Sequence, residues 1–213
     1  MTVTASQIEP VDSFSTRIYV SAEEYMEKYA HDHYEWDQGL LIQMSPTTLS
    51  HFNLLEYLKY FFKTYFRFHS IGTYVGDPFV MRLDVVPSRR QPDIQIILKT
   101  NPGQLTETMM IGPADIVIEV VSEESAERDY GKKFVEYEAG GVQEYWLFDT
   151  LRETHHFYRL NDVRRYVDHS VDEQGNYRTP LLPHFVIHVP TLWSDTLPEV
   201  DEIMDAVKTM LGL

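Results

Sequence analysis

The run Ile116-Val117-Ile118-Glu119-Val120-Val121 constrains this chain more than any other stretch of it. Its β-branched content and short length mark a strand, and hydrocarbon on both faces places that strand in the middle of a sheet covered on both sides. Alternation turns Ile116, Ile118 and Val120 one way, and Asp115, Val117, Glu119 and Val121 the other. A carboxylate therefore enters an otherwise apolar layer. A second run of the same kind, Ile94-Gln95-Ile96-Ile97-Leu98, is opened by Pro92-Asp93. Ionised groups in such places raise the free energy unless paired, and a divalent cation is one of few partners that serves two carboxylates at once. The ordinary alternative is a half-exposed strand whose glutamate faces water or a lysine.

The rest of the pattern predicts one domain over residues 17–213, after a loose lead-in over residues 1–16 with little apolar periodicity. At 213 residues, 43% hydrophobic and 13% aromatic, the chain is long and apolar enough to fill one core. Ser21 and Glu24 have capping-box spacing, which predicts a short helix over 22–29. Strands are predicted over 34–37 and 40–44, joined through Gln38-Gly39 and ended by Ser45-Pro46. Leu54, Leu55, Leu58, Phe61, Phe62 and Tyr65 recur at helical spacing, so the longest helix runs over about 51–68. Strands follow near 74–83, 93–98 and 115–121. A helix over 126–139, capped by Ser125 and ended by Gly140-Gly141, leads to a strand over 143–148. Strand, helix, strand over 115–148 is a crossover unit, which predicts an α/β or α+β fold with a helix packed on a mixed sheet. Further strands over 155–158, 164–167 and 185–189 and a C-terminal helix over 197–211 complete the expectation.

The helix after Glu119 is placed to deliver a cation. Counted at about 100° per residue, Lys133 falls on the flank of the stripe formed by Tyr130, Phe134 and Tyr137, and Lys132 falls opposite it, toward water. Two other readings of Lys133 stay open: a surface lysine laying its stem over aromatic rings, and a plain ion pair with Asp129 four residues earlier. If Asp93, Glu119 and a main-chain carbonyl near Val120 converge, they form a hard oxygen set suited to Mg²⁺ or Mn²⁺, with Lys133 placed to orient a water. This chemistry is phosphodiester hydrolysis. Histidine is not needed for it, and His155-His156 would point to opposite faces of a strand.

Charge limits the partner. With 18 basic against 33 acidic residues and a formal charge of -15, broad adhesion to nucleic acid or anionic lipid is excluded, so DNA must be met locally. Arg89 and Arg90, immediately before Pro92-Asp93, are the candidates by sequence proximity. Lys59, Lys63 and Arg67, spaced by four on the long helix, read better as a solvated face. No cysteine is present, so thiolate metal sites are excluded. The absence of a long apolar run or a secretory pattern predicts no membrane contact and a cytoplasmic protein. Aromatic residues of the long helix outside its core stripe, among them Phe52, Tyr57, Tyr60, Phe66 and Phe68, suggest a subunit interface.

The residues 113–122, then Asp129, Lys133, Tyr137, Gly141-Val142 and Glu144-Tyr145-Trp146, resemble the Uma-type restriction endonuclease family abundant in cyanobacteria, within the PD-(D/E)XK nuclease superfamily. Tyr34-Glu35, Gly39, Met44-Ser45-Pro46 with His51, and Pro92-Asp93 extend the resemblance over roughly residues 20–195. It implies a restriction-endonuclease-like mixed sheet flanked by helices, Mg²⁺-dependent DNA hydrolysis, and homodimers. It assigns the motif's Pro-Asp to Pro92-Asp93 and its second acid to Glu119. It makes Glu35 a further acid of the same pocket. Where the superfamily carries lysine two positions after the glutamate, this chain has Val121, and the resemblance transfers the role to Lys133. The competing expectation is a nuclease fold that binds or assembles without cleaving.

Overall fold

The computed structural model describes residues 18–44 and 47–213, so the lead-in predicted over residues 1–16 and the Ser45-Pro46 stop lie outside the described residues. The chain opens with α1 (Ala22–Lys28), the hairpin β1 (Tyr34–Asp37) and β2 (Leu40–Gln43), and the long α2 (Leu49–Phe68). Six strands follow: β3 (Gly72–Gly76), β4 (Val80–Arg82), β5 (Ser88–Arg90), β6 (Ile94–Leu98), β7 (Gln104–Leu105) and β8 (Met109–Ile111). Then come β9 (Ile116–Val121), a π-helical turn (Arg128–Lys133) running into α3 (Phe134–Gly140), and β10 (Glu144–Asp149). β11 (Thr154–Leu160), β12 (Tyr166–Asp168), β13 (Asn176–Tyr177), β14 (Ile187–His188), α4 (Val189–Leu192) and α5 (Val200–Leu211) finish it.

Local chemistry sets the early boundaries. Ser21 Oγ accepts the Glu24 N–H at 3.1 Å and starts α1. Gln38 and Gly39 both take left-handed backbone angles, φ 51° and 94°, as a two-residue hairpin turn requires. Thr48 caps α2 by accepting the His51 N–H at 3.3 Å, which starts that helix two residues before the apolar pattern does. The predicted strand over 74–83 is two strands in different sheets, separated by the bend at Asp77-Pro78.

The main sheet has the order β12-β11-β10-β9-β6-β3, with β9 and β10 parallel and the other pairs antiparallel. β9, the π-turn with α3, and β10 form the predicted crossover. One face of β9 (Ile116, Ile118, Val120) packs under α2 with Phe62, Trp146 and Phe185, and the other (Val117, Val121) packs with Tyr137, Tyr145 and Leu147. The face assignment made from alternation holds. The second sheet, β2-β1-β5-β4-β8-β7, carries Glu35, Asp37 and Arg90.

Two surroundings differ from the sequence reading. Tyr57 and Phe66 of α2 are covered by the chain itself, in the cluster that holds Leu182, Phe185, Ile203 and Val207, while Phe52 and Tyr60 remain exposed. Most of the aromatic surplus on α2 is thus absorbed by the C-terminal segment. Among the described residues, no helix is long and apolar enough to cross a membrane.

Candidate active site

The C-terminal end of β9 outruns its neighbour β6, and the site forms in the gap. Continuing the register in which Ile94 faces Ile118 brings Pro92 opposite Val120. Proline has no N–H, so no strand donor claims the Val120 carbonyl from that side. The Val120 N–H is taken by the Asp93 side chain, whose Oδ2 accepts it at 2.7 Å. Asp93 is thereby fixed beside Glu119. Both line a cavity of about 590 Å³, together with Val120, His51, Arg128, Asp129 and Lys133.

Lys133 arrives from the opposite side. Its Nζ stands 2.9 Å from Glu119 Oε1, 3.0 Å from Asp129 Oδ1 and 3.5 Å from Glu35 Oε1, with the side chain 1% exposed. The Asp129 pair expected from four-residue spacing is present, yet it does not withdraw Lys133 from Glu119. The Tyr137 hydroxyl also donates to Glu119 Oε1, at 2.9 Å, so both contacts fall on one oxygen of that carboxylate.

The π-turn explains how Asp129 and Lys133 both reach the cavity with Arg128. Hydrogen bonds closed over five residues rather than four bring positions 128 and 133 toward one side, where an α-helix would splay them. A uniform helical count does not foresee this turn. Lys132, predicted to be solvated, is exposed and pairs with Asp37.

Electrostatics follow from the carboxylates Glu35, Glu119 and Asp129 surrounding one ammonium. Burial drives the Glu119 carboxyl up to about 8; Lys133 opposes this, and Asp129, Asp93 and Glu35 reinforce it. Burial alone would lower the Lys133 pKa, but Asp129, Glu119 and Glu35 more than reverse that and raise it. The Lys133 shift expresses the carboxylates around it, whereas that of Glu119 comes first from burial and only then from its acidic neighbours; a further cation would favour the ionised form of Glu119. Glu35 is fully buried behind the ammonium, does not line the cavity, and accepts the Gln91 N–H and an Arg90 guanidinium N–H, each at 3.1 Å. Burial works to raise its carboxyl, yet Lys133, Arg90 and Arg128 hold it down at about 2.

The donors present suit a hard cation. Among the described residues no cluster of at least three His, Asp or Glu side chains forms a ready metal cage. The residues that could hold such a cation are Asp93, Glu119 and the Val120 main chain, and Mg²⁺ is commonly held by one or two carboxylates while keeping several waters.

A family described as "Putative restriction endonuclease", Uma2, matches residues 22–190. This chain belongs to the Uma2 family. A crystal structure of a "putative nuclease belonging to DUF820" from Anabaena variabilis resembles the Uma2 chain over 88% of its length and 99% of that structure's, with a TM-score of 0.62 at 14% identity. At that identity the likeness shows the fold alone. No curated protein matches this Uma2 chain.

Of the two arginines expected at DNA, one is turned inward and the other outward. Arg90 is 1% exposed; its Nε and Nη2 donate to Glu136 at 2.7 and 2.9 Å, and its Nη1 donates to Glu35. Strand alternation in β5 turns Ser88 and Arg90 inward and Arg89 outward, over the Trp36 ring at 5.6 Å. Arg90 is an internal strut of the Uma2 domain and is not presented to DNA. His51, given no role from sequence, has its Nε2 3.6 Å from Asp93 Oδ2 and lines the cavity. Its place in the first turn of α2, one of the positions carrying the family resemblance, was the available signal.

Proposed function

We propose that this Uma2 chain is a divalent-cation-dependent endonuclease that hydrolyses DNA phosphodiester bonds. The observation carrying the proposal is the shared cavity: Asp93, Glu119 and Lys133, brought from two strands and a helix, with the Lys133 ammonium 2.9 Å from Glu119. Asp93, Glu119 and the Val120 carbonyl would hold Mg²⁺ or Mn²⁺, which supplies a water acidic enough to attack phosphorus at neutral pH. Lys133 keeps its proton and therefore acts as a fixed donor that orients the attacking water and offsets charge on the phosphate. Asp129 and Glu35 hold that ammonium in place. Tyr137 and Lys133, both on Glu119 Oε1, set the orientation of its carboxylate. Water oxygen bonds to phosphorus as the ester P–O bond breaks, leaving a phosphate monoester and a hydroxyl terminus.

A nuclease fold that binds without cleaving is favoured by one observation, the near-complete burial of Lys133 among three carboxylates. Supercoiled plasmid incubated with Mg²⁺ or Mn²⁺ separates the readings. Nicking by the wild type that falls at least about 100-fold in Glu119→Ala and Lys133→Ala supports hydrolysis. A folded wild type that leaves the plasmid intact with either cation supports the binding fold.

A further inference from the structure

The cavity needs a group that attracts a phosphodiester, and Arg90 does not supply it. Among its described lining residues, six carboxylates stand against two permanent cations, Arg128 and Lys133. Lys133 is enclosed by Glu119, Asp129 and Glu35. Arg128 is placed differently. Among the described residues its Nε is buried and has no hydrogen-bond partner; Glu35 Oε2 stands 3.7 Å away, an ion pair beyond hydrogen-bond reach. Among the described residues Nη2 meets the weak acceptor Met44 Sδ, at 3.8 Å, and no stronger one. The side chain keeps 21% of its surface open, and it lines the cavity. A partly exposed guanidinium that lines an acidic pocket and meets no strong acceptor among the described residues matches the oxygens of a phosphate, which it can engage through two parallel bonds.

We propose that Arg128 is the substrate-binding arginine of this site, gripping a backbone phosphate of the nucleic acid while Asp93, Glu119 and Lys133 face the scissile bond. The proposal rests on the nuclease reading. The π-turn gives it a structural basis, since it brings Arg128 to the side of the helix that carries Lys133. In a chain with a charge of -15, such a concentrated contact is how a polyanion is accepted.

The test uses the full chain, a fluorescent DNA duplex with Ca²⁺ in place of Mg²⁺, and inorganic phosphate as a separate probe. Arg128→Gln is expected to weaken duplex binding about 10- to 100-fold and to flatten the slope of log affinity against log salt by about 0.9, the mark of one lost phosphate contact. Arg128→Lys keeps the charge beside Glu35 and is expected to retain the wild-type salt slope with weaker affinity. Phosphate should raise the melting temperature of the wild type and not of Arg128→Gln, while both respond alike to Mn²⁺. Equal duplex affinity and equal salt slope in wild type and Arg128→Gln overturn the assignment, and nicking by the wild type then leaves the nuclease reading standing. If Arg128→Gln does not fold, an Arg128→Lys affinity equal to wild type overturns the fork-like grip. A phosphate response that needs Arg128, in a wild type that neither binds nor nicks DNA, keeps the anion site and refutes the nuclease reading.

Discussion

Replacing Arg90 with glutamine removes a cation that serves two buried carboxylates at once. Arg90 donates to Glu136 at 2.7 and 2.9 Å and to Glu35 at 3.1 Å, and all of these side chains lie inside the domain. Deleting one member of a buried ion pair costs about 3–5 kcal/mol, because the remaining charge has lost its counterion and cannot reach water. For a domain of this size each kcal/mol moves the midpoint by about 2–4 °C, so Arg90→Gln should melt about 6–20 °C below the wild type at neutral pH. Arg89→Gln, which removes a stacking contact on Trp36 and a part-buried hydrogen bond to the Ser88 carbonyl, should cost about 1 kcal/mol. Thermal unfolding followed by circular dichroism reads both, and the double variant Arg90→Met with Glu136→Met should cost less than the two single changes added together. An Arg90→Gln protein that melts within about 2 °C of the wild type and loses DNA affinity would refute this account and return Arg90 to the nucleic acid.

Three further outcomes are expected. Mn²⁺ should raise the melting temperature of the wild type and leave Asp93→Ala unmoved; an equal response in calorimetry places the cation elsewhere. The Glu35 carboxyl is held at about 2 against 4.5 when free, so the stability it contributes is present above pH 4.5 and disappears as pH falls from there toward 2. The melting-temperature gap between wild type and Glu35→Gln should close over that window, and a gap that stays constant contradicts the ion-pair assignment. Glu144 is fully buried and accepts from Trp146 Nε1, the Tyr177 and Thr179 hydroxyls and Arg159 Nε, so Glu144→Ala should cost about 3–5 kcal/mol by urea denaturation.

What could be read from the sequence was whatever the period of the chain records. β9, α2 and the crossover to β10 stand out because their burial is continuous and their apolar residues repeat, and the same alternation assigns Glu119 to its face. Pro92-Asp93 and Glu119 could be nominated because charge is anomalous in such runs. β5 was missed because Ser-Arg-Arg has no β-branched residue; its inward Arg90 is stabilised by Glu35 and Glu136, respectively 55 and 46 residues away in sequence. Distance in sequence also hid His51 and Tyr137 as neighbours of the two carboxylates. The π-turn was missed for another reason: propensity and amphipathicity assume a constant angle per residue, and a widened turn breaks that assumption while leaving the composition unchanged.

On the proposed nuclease reading, a lysine carried on a helix separates two demands that one strand would otherwise have to meet. Position 121 is released to hydrocarbon, and Val121 packs with Met81, Val117 and Leu147 in the layer beneath α3. Glu119 then remains the sole charged side chain that β9 must accommodate. The widened turn amounts to one extra residue threaded into the helix, and Gly131, with nothing within 4 Å of where a Cβ would stand, sits at its open side. Excising Gly131 should restore ordinary winding with the hydrophobic layers intact and leave Arg128 and Lys133 four residues apart on one helical face, while Asp129, then three residues from Lys133, moves to the next position round the helix.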